Sequence, residues 1–268
     1  MNDLKKNFLI GFFDIIGEKI LDTINHLGAA VIFFFLAFIR IFRRKQLREI
    51  IRQVYFIGAT SSSIVLVVGL FTGMVLGLQL FYTLIKFGSE GMVGAAISLS
   101  LIRELGPVLT AIMITARAGS AMTAEIGIQR ITEQIDALYT MRIDPTAYLV
   151  SPRIAAAIIS FPLLTAFFDL IGILGGWATS VLLLGVNEGA YFYRIQTAVE
   201  MIDIRGGFIK SLVFALIVST ICCYQGFFTH YRTESHGAKS VSASTTSAVV
   251  LSCVLILISD YIVTSFIM

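Results

Sequence analysis

Charged residues are scarce in this sequence. They make up 14% of its 268 residues, and hydrophobic residues make up 57%, whereas an average soluble protein has roughly 25% charged residues. Long stretches hold no charge or a single one: residues 53–85, 154–187, 211–231 and 241–268. Each stretch is long enough for the roughly 20 residues that cross a bilayer as a helix. This composition excludes a soluble domain and predicts an all-α integral membrane protein.

Signals for catalysis, metal binding and nucleotide binding are also missing. Cys222 and Cys223 are adjacent and Cys253 is separate, all within apolar stretches, which is typical of packing residues rather than a disulfide. The three histidines have no metal-ligand spacing. The phosphate-binding pattern G-x-x-x-x-G-K-[ST] does not occur, and GGFIKS at 206–211 has the wrong spacing. We expect a non-catalytic chain that binds no cofactor or metal and has no nucleic-acid partner.

The apolar stretches predict five transmembrane helices, at about residues 57–85, 103–123, 153–185, 208–229 and 242–267. Most of the 20 Lys and Arg residues fall before the first span, between the second and third, or between the fourth and fifth. Basic residues favour the cytoplasmic side, so the N-terminus is predicted inside and the C-terminus outside. An odd number of spans argues against the inverted duplication of many secondary transporters.

The N-terminal segment is predicted to lie at the membrane interface. Residues 8–25 have an amphipathic helical pattern. Residues 28–42 are apolar but short, so they are expected to enter one leaflet and return. Two units follow: interfacial helices at 1–56 and a five-span domain at 57–268.

Charged residues in or beside the predicted spans should have a partner or a function. Arg103 and Glu104 are predicted at the outer end of the second span, and Lys210 near the outer end of the fourth. Together they would form a polar ring suited to a charged head with apolar tails; side chains that merely reach toward the membrane surface are the alternative. Arg117 lies deeper and has Asp169 as a candidate partner. A hydrogen-bonded Asp169 facing neighbouring helices is the favoured alternative.

The first span contains a repeat of small residues. Gly69, Gly73 and Gly77 recur at every fourth position, which allows two helix backbones to approach closely. Packing within the chain and a homodimer seam both fit this pattern. Gln79 and Tyr82 follow in the same span and are costly in lipid unless they meet polar partners or a wet cavity.

An amphipathic pattern follows the second span. In AEIGIQRITEQIDALYTMRIDP, residues 124–145, acidic side chains alternate with apolar ones spaced three and four residues apart. Asp144-Pro145 then ends the helical pattern. A short helix of this kind either docks into a groove on a cytosolic partner or lies on the membrane.

Several segments together resemble the MlaE/YrbE family of ABC transporter permeases. They are GMVLGLQ, RELGPVLTAIMITARAGSAMTAEIG, RITEQIDAL and IDPTAYLVSPR, and the likeness extends from about residue 50 to the end. The resemblance implies the MlaE-type fold and a homodimer in the bacterial inner membrane. It also implies a cytosolic ABC ATPase carrying ATP and Mg, a periplasmic MCE-domain protein and often a STAS-domain protein. The implied function is phospholipid transport between inner and outer membranes, which maintains outer-membrane asymmetry.

The resemblance also implies residue roles. The candidates for lining a lipid path are Gln79, Tyr82, Arg103, Glu104 and Lys210. Residues 124–145 take the position of the coupling helix, with these candidate ATPase contacts: Glu125, Arg130, Glu133, Gln134, Asp136 and Leu138. Asp169 belongs to none of the matching segments.

Two interpretations outside this family stay open. One is an ion-coupled secondary transporter or channel without an ATPase, in which Asp169 and Arg117 relay an ion. Ion-dependent uptake by the chain alone would favour it. The other is a membrane scaffold that only anchors peripheral proteins, and lipid-stimulated ATPase activity of the assembled complex would argue against it. Within the family, other hydrophobic substrates and a chloroplast-envelope location remain alternatives.

Overall fold

The computed structural model describes residues 28–29, 31–37, 39, 47–229 and 237–267. These residues form helices and connecting turns, and no strand occurs among them. Residues 28–29, 31–37 and 39 are helical. The helices from residue 47 onward are α1 Leu47–Phe87, α2 Glu90–Ile131, α3 Gln134–Thr140, α4 Thr146–Leu183, α5 Glu188–Ala198, α6 Met201–Phe227 and α7 Ala238–Ile267. Five of them, α1, α2, α4, α6 and α7, are long and apolar enough to cross a membrane. The prediction of an all-helical, five-span protein is therefore confirmed.

The boundaries of the first two spans differ from those predicted. Helix α1 runs without a break from Leu47, so the basic segment before residue 57 continues into the span. Gly88 has φ +65 and ends α1, and α2 then begins at Glu90 rather than at residue 103. The cause is that residues 91–102 are small and apolar and extend the helix by several turns. The helix predicted at residues 8–25 lies outside the described residues, and the division at 56/57 stays a prediction.

Three spans contain π-helical turns, which widen the helix and free main-chain groups. They are Tyr55–Ala59 in α1, Leu101–Leu105 and Thr115–Gly119 in α2, and Thr146–Val150 and Ala178–Leu183 in α4. Such turns are frequent at functional sites. The turn at Leu101–Leu105 contains two of the residues predicted to line a lipid path.

The glycine repeat of α1 packs against α4 of the same chain. Gly69 lies against Phe168 of α4. Gly77 lies against Gly176 of α4 and against Thr179 and Ser180 about one turn later in the same helix. Between them, a Cβ added to Gly73 would overlap the main-chain carbonyl of Gly172. All three glycines of the repeat are buried. In the structure the repeat therefore packs within the chain, which was one of its two interpretations.

Helix α6 lies at the centre of the bundle, against α2, α4 and α7, and is buried along most of its length. Helix α7 is covered mainly on the side that faces α6 and α2, and its other side is apolar and exposed. Helix α5 connects α4 to α6. It packs against the start of α2, where its Tyr191 lies against Gly94. Burial raises the pKa of the Tyr191 phenol, and its hydroxyl donates to the Ile173 carbonyl at 3.0 Å.

Candidate functional site

A cavity of about 180 Å³ lies between α2, α6 and α7. Three helices supply its walls, and the residues that line it are Arg103, Glu104, Ile202, Asp203, Gly206, Gly207, Lys210, Thr264 and Ile267. Gly206 and Gly207 add no side chain to it, and charged side chains enter from α2 and α6. The cavity therefore combines cations, carboxylates and apolar walls within the spanning bundle.

Lys210 is the centre of this polar group and is only 3% exposed. Its Nζ lies 2.6 Å from Glu104 Oε2 and 3.1 Å from Asp260 Oδ1. The first contact is a hydrogen bond, whereas the second is an ion pair without hydrogen-bond alignment. A buried ammonium is costly unless it is paired and hydrogen-bonded. The two carboxylates supply that compensation.

A proline in α2 makes a main-chain carbonyl available for the third contact of Lys210. Pro107 has no N–H, so the Arg103 carbonyl one turn earlier lacks its usual helical donor. Lys210 Nζ donates to this carbonyl at 2.8 Å. The break in the hydrogen-bonding pattern of α2 thus becomes part of the site.

Arg103 forms a second ion pair beside the first. Its Nε donates to Asp203 Oδ1 at 2.7 Å, and Asp203 Oδ2 accepts from the Glu200 N–H at 3.0 Å at the start of α6. The Asp203 side chain is 5% exposed, while that of Arg103 is 39% exposed. Arg103 therefore keeps part of its guanidinium open toward the cavity.

The structure brings together three of the five predicted lipid-path residues. Arg103, Glu104 and Lys210 meet, although the first two lie well inside α2 and not at its outer end. Gln79 and Tyr82 are on the exposed face of α1 and do not line this cavity. Tyr82 is 59% exposed.

Sequence reasoning missed two acidic members of the cluster, Asp203 and Asp260. Asp260 is the only charge in the stretch 241–268. A lone acid in an apolar span is a signal for a buried cationic partner, and that signal was sufficient to single it out. Asp203 lies at the start of α6, where acidic side chains commonly cap a helix, and its pairing with Arg103 could not be inferred from position alone.

The suggested pair between Arg117 and Asp169 is wrong. Arg117 Nη1 donates instead to α1, to the Phe56 carbonyl at 3.2 Å, to Ser61 Oγ at 3.3 Å and to Thr60 Oγ1. The π turn at 55–59 places this carbonyl and the hydroxyls within reach of the guanidinium. Asp169 Oδ1 is buried and has no hydrogen-bond partner among the described residues. The ion-relay interpretation thus loses the pairing on which it depended.

The region predicted as a coupling helix has a break within it. Helix α2 extends to Ile131, and Glu133 has φ 58, so the chain turns before α3 begins at Gln134. Ile135 of α3 is fully buried, and Leu138 packs beside it against a cluster that includes Phe227. The helix is therefore anchored by its apolar face.

Ion pairs hold three of the six coupling candidates within the chain. Arg130 Nη1 lies 2.8 Å from Asp136 Oδ1, which joins the end of α2 to α3. Glu125 Oε2 lies 2.7 Å from Arg153 Nη2, and the Arg153 side chain is 3% exposed. Glu133 and Gln134 are exposed on this side of the bundle, and the Asp136 side chain stays 54% exposed despite its ion pair. They are the candidates that remain available to a partner.

Residues 50–266 match the protein family described as Permease MlaE. A relative from Rickettsia felis, named probable ABC transporter permease protein, is 41% identical over 257 residues, which cover 96% of this chain and 97% of the relative. The intermembrane phospholipid transport system permease protein MlaE of Haemophilus influenzae is 38% identical over 262 residues, with 96% and 97% covered. The chloroplastic protein trigalactosyldiacylglycerol 1 of Arabidopsis thaliana is 34% identical over 219 residues, which cover 82% of this chain and 61% of that protein.

Proposed function

The chain belongs to the MlaE permease family, and we propose that it forms the membrane path of a phospholipid transporter. As an ABC transporter permease it is a multi-pass membrane subunit that does not itself hydrolyse ATP. The proposed transport runs between the inner and outer membranes and maintains outer-membrane asymmetry. The name of the Haemophilus relative, an intermembrane phospholipid transport permease, supports this substrate.

The observation that carries the proposal is the buried ion cluster around Lys210. A phospholipid combines a charged headgroup with apolar chains, and the cavity offers matching surfaces. Arg103, Lys210 and Glu104 provide charges of both signs, and Ile202 and Ile267 provide apolar walls. Charges buried in a membrane protein commonly mark a substrate pathway. The headgroup would exchange contacts with these side chains as it passes.

The proposed assembly contains a second copy of this chain, a cytosolic ABC ATPase that binds ATP and Mg, and a periplasmic MCE-domain protein. A STAS-domain protein is a further proposed member. We place the complex in the bacterial inner membrane, with the N-terminus cytoplasmic and the C-terminus periplasmic. Arg130, Arg142 and Arg153 lie around α3, and a basic loop favours the cytoplasmic side. That side is where an ATPase would bind.

Helix α3 is the proposed contact with the ATPase. Its exposed side carries Glu133, Gln134 and Asp136, while Ile135 and Leu138 join it to the ends of α4 and α6. Closure of an ATPase dimer would move α3 as a rigid element. Because its apolar face is packed against the bundle, that motion would be transmitted to the spans that form the cavity.

Charge reversal of Glu133 and Asp136 tests this contact. The variant Glu133→Arg, Asp136→Arg should reduce recovery of the ATPase with the purified chain by about tenfold, since like charges across an interface cost several kcal/mol. Glu133→Arg alone, which keeps the ion pair between Arg130 and Asp136 intact, should also reduce it. Recovery is measured by quantitative mass spectrometry after affinity purification in mild detergent. Bound phospholipid should stay near the wild-type amount, because the cavity residues are unchanged.

The matched control reverses two exposed acids on the opposite side of the membrane, Glu90→Arg and Glu188→Arg. It carries the same change in net charge and should recover the ATPase as the wild type does. Equal ATPase recovery from both double variants would contradict the role of α3.

A further inference from the structure

Two π-helical turns, one in α1 and one in α2, meet at Arg117. This arginine belongs to the second π turn of α2, and its Nη1 donates to the carbonyl of Phe56, which lies in the π turn of α1. The same nitrogen donates to the hydroxyls of Thr60 and Ser61, just beyond that turn. One end of the guanidinium is therefore fixed against α1, at a type of turn that is frequent at functional sites.

The opposite edge of the Arg117 guanidinium is open. Its Nε and Nη2 make no hydrogen bond within the described part of the chain, and neither atom is sealed beneath others as Nε of Arg153 is. Ala116 beside it is exposed, and Ser120, about one turn later, is partly exposed. A ligand at the surface where α1 and α2 meet can therefore reach both nitrogens.

The charge of Arg117 has no acidic partner among the described residues. Arginine stays protonated in proteins, so this charge does not depend on its surroundings. Arg103 and Arg153 each lie 2.7 Å from a carboxylate oxygen, whereas the acceptors of Arg117 are a carbonyl and two hydroxyls, all uncharged. A charge in a membrane span is costly unless it is paired. This arrangement indicates that the countercharge comes from another molecule.

The position of Arg117 along the spans matches the level of lipid headgroups. Its contacts on α1 lie within about two turns of residue 53, where the charge-free stretch of that helix begins. Arg48 and Arg52 precede them on α1 and are exposed, and basic side chains at a membrane surface attract anionic headgroups. On the other side, Ile64 of α1 is apolar and exposed. A polar surface and a hydrocarbon surface thus adjoin Arg117 in the order that a membrane lipid requires.

The open edge selects an anion with two oxygen atoms. Nε–H and Nη2–H point the same way along one edge of the guanidinium plane, and this fork matches a phosphate or a carboxylate through two parallel hydrogen bonds. Phospholipids bring phosphate to this level of a membrane, with apolar chains attached. A phosphate free in solution offers the same oxygens but has no chain to lie along Ile64.

We propose that the Nε–Nη2 edge of Arg117 binds the phosphate of a membrane phospholipid, whose acyl chain lies along Ile64 and Val67. Glu104 is 13 residues away along α2, roughly 20 Å at 1.5 Å per residue, so a lipid held here does not occupy the charged cavity. Its role as a second headgroup site on the transport path, on the cytoplasmic side, rests on the proposed function. Binding itself does not, and it is measured without transport.

Photolabelling with two matched lipids tests the site. The probes are phosphatidylglycerol and monoglucosyl diacylglycerol, with identical chains and a diazirine at the same carbon near the glycerol. They are applied to the full chain, purified with its co-purifying subunits in dodecyl maltoside, a detergent without phosphate, and labelled peptides are identified by mass spectrometry. Phosphatidylglycerol should label residues 60–67 and 113–120 about tenfold more than the glycolipid does, as expected for hydrogen bonds between charged groups.

Variants locate the phosphate. Arg117→Met should lower phosphatidylglycerol labelling of both segments about tenfold, whereas Arg117→Lys should keep part of it, because an ammonium retains the charge but not the fork. Arg194→Met is the matched control, since Arg194 is exposed on α5, and it should label like the wild type. Lys210→Met changes the charged cavity and should keep the labelling of these two segments even where transport is lost, so the two proposals fail separately.

Equal labelling by the two probes would overturn the proposal, and so would labelling that persists in Arg117→Met or disappears in Lys210→Met. Loss of labelling on addition of millimolar inorganic phosphate would assign the site to a free ion and overturn the lipid assignment. If Arg117→Met does not fold, the comparison of the two probes on the wild-type chain still decides, because it needs no substitution.

Discussion

Lys210→Met is expected to reduce ATP-driven phospholipid transport by about tenfold or more, because a hydrogen bond to a charged group contributes roughly 1.5–3 kcal/mol and each 1.4 kcal/mol is tenfold in rate. The substitution keeps the length and packing of the side chain but removes its charge. Glu104 and Asp260 then lose their common cation, and the Arg103 carbonyl loses its donor. A headgroup entering the cavity would then meet the Glu104 carboxylate without its cation.

The measurement is transfer of a fluorescent phospholipid by the reconstituted complex, with assembly checked by recovery of the ATPase. Lys86→Met is the matched control, since Lys86 is exposed at the end of α1. It loses the same charge outside the cavity and should transport at the wild-type rate. Unchanged transport by a fully assembled Lys210→Met complex would remove the cluster from the lipid path.

Gly73→Ala is expected to destabilise the folded chain strongly although it adds one methyl group. That methyl group would overlap the Gly172 carbonyl, and a main-chain atom cannot move aside as a flexible side chain can. Overpacking costs typically about 1–3 kcal/mol and occasionally more. In lipid, close backbone contact is itself a main source of helix association, so separation of α1 from α4 removes stabilising contacts along both helices.

Thermal stability in detergent, followed by the monodisperse fraction in size-exclusion chromatography, measures this effect. The apparent melting temperature should fall by about 5 °C or more, as expected for roughly 2 kcal/mol in a chain of this size. Gly91→Ala is the control, because an added Cβ there meets nothing within 4 Å. If both variants melt at the wild-type temperature, the contact between α1 and α4 is not as close as described.

Hydropathy predicted the number of spans because apolar length and lack of charge determine which segments cross a bilayer. It placed the helix ends poorly. Residues 91–102 are apolar enough for a span but lie between charges, and the start of α1 is basic, so composition did not show that either segment continues a helix. The turn at Glu133 was also missed, since φ 58 is uncommon outside glycine and asparagine and has no signal in this residue type.

The meeting of Arg103 and Glu104 with Lys210 could be predicted because charge inside a membrane requires compensation. The partner of Arg117 could not. Its Nη1 is satisfied by a carbonyl and hydroxyls of α1, and the position of that carbonyl depends on a π turn that residue types do not reveal. Formal charge thus predicted which groups needed partners, but the main chain supplied partners that charge alone does not identify.

The most direct test of the central claim is native mass spectrometry of the chain purified from its own membrane in mild detergent. We expect two copies of this chain together with a P-loop ATPase, an MCE-domain protein and bound phospholipid. A chain recovered without an ATPase under several gentle conditions, and active in uptake driven by an ion gradient alone, would contradict it.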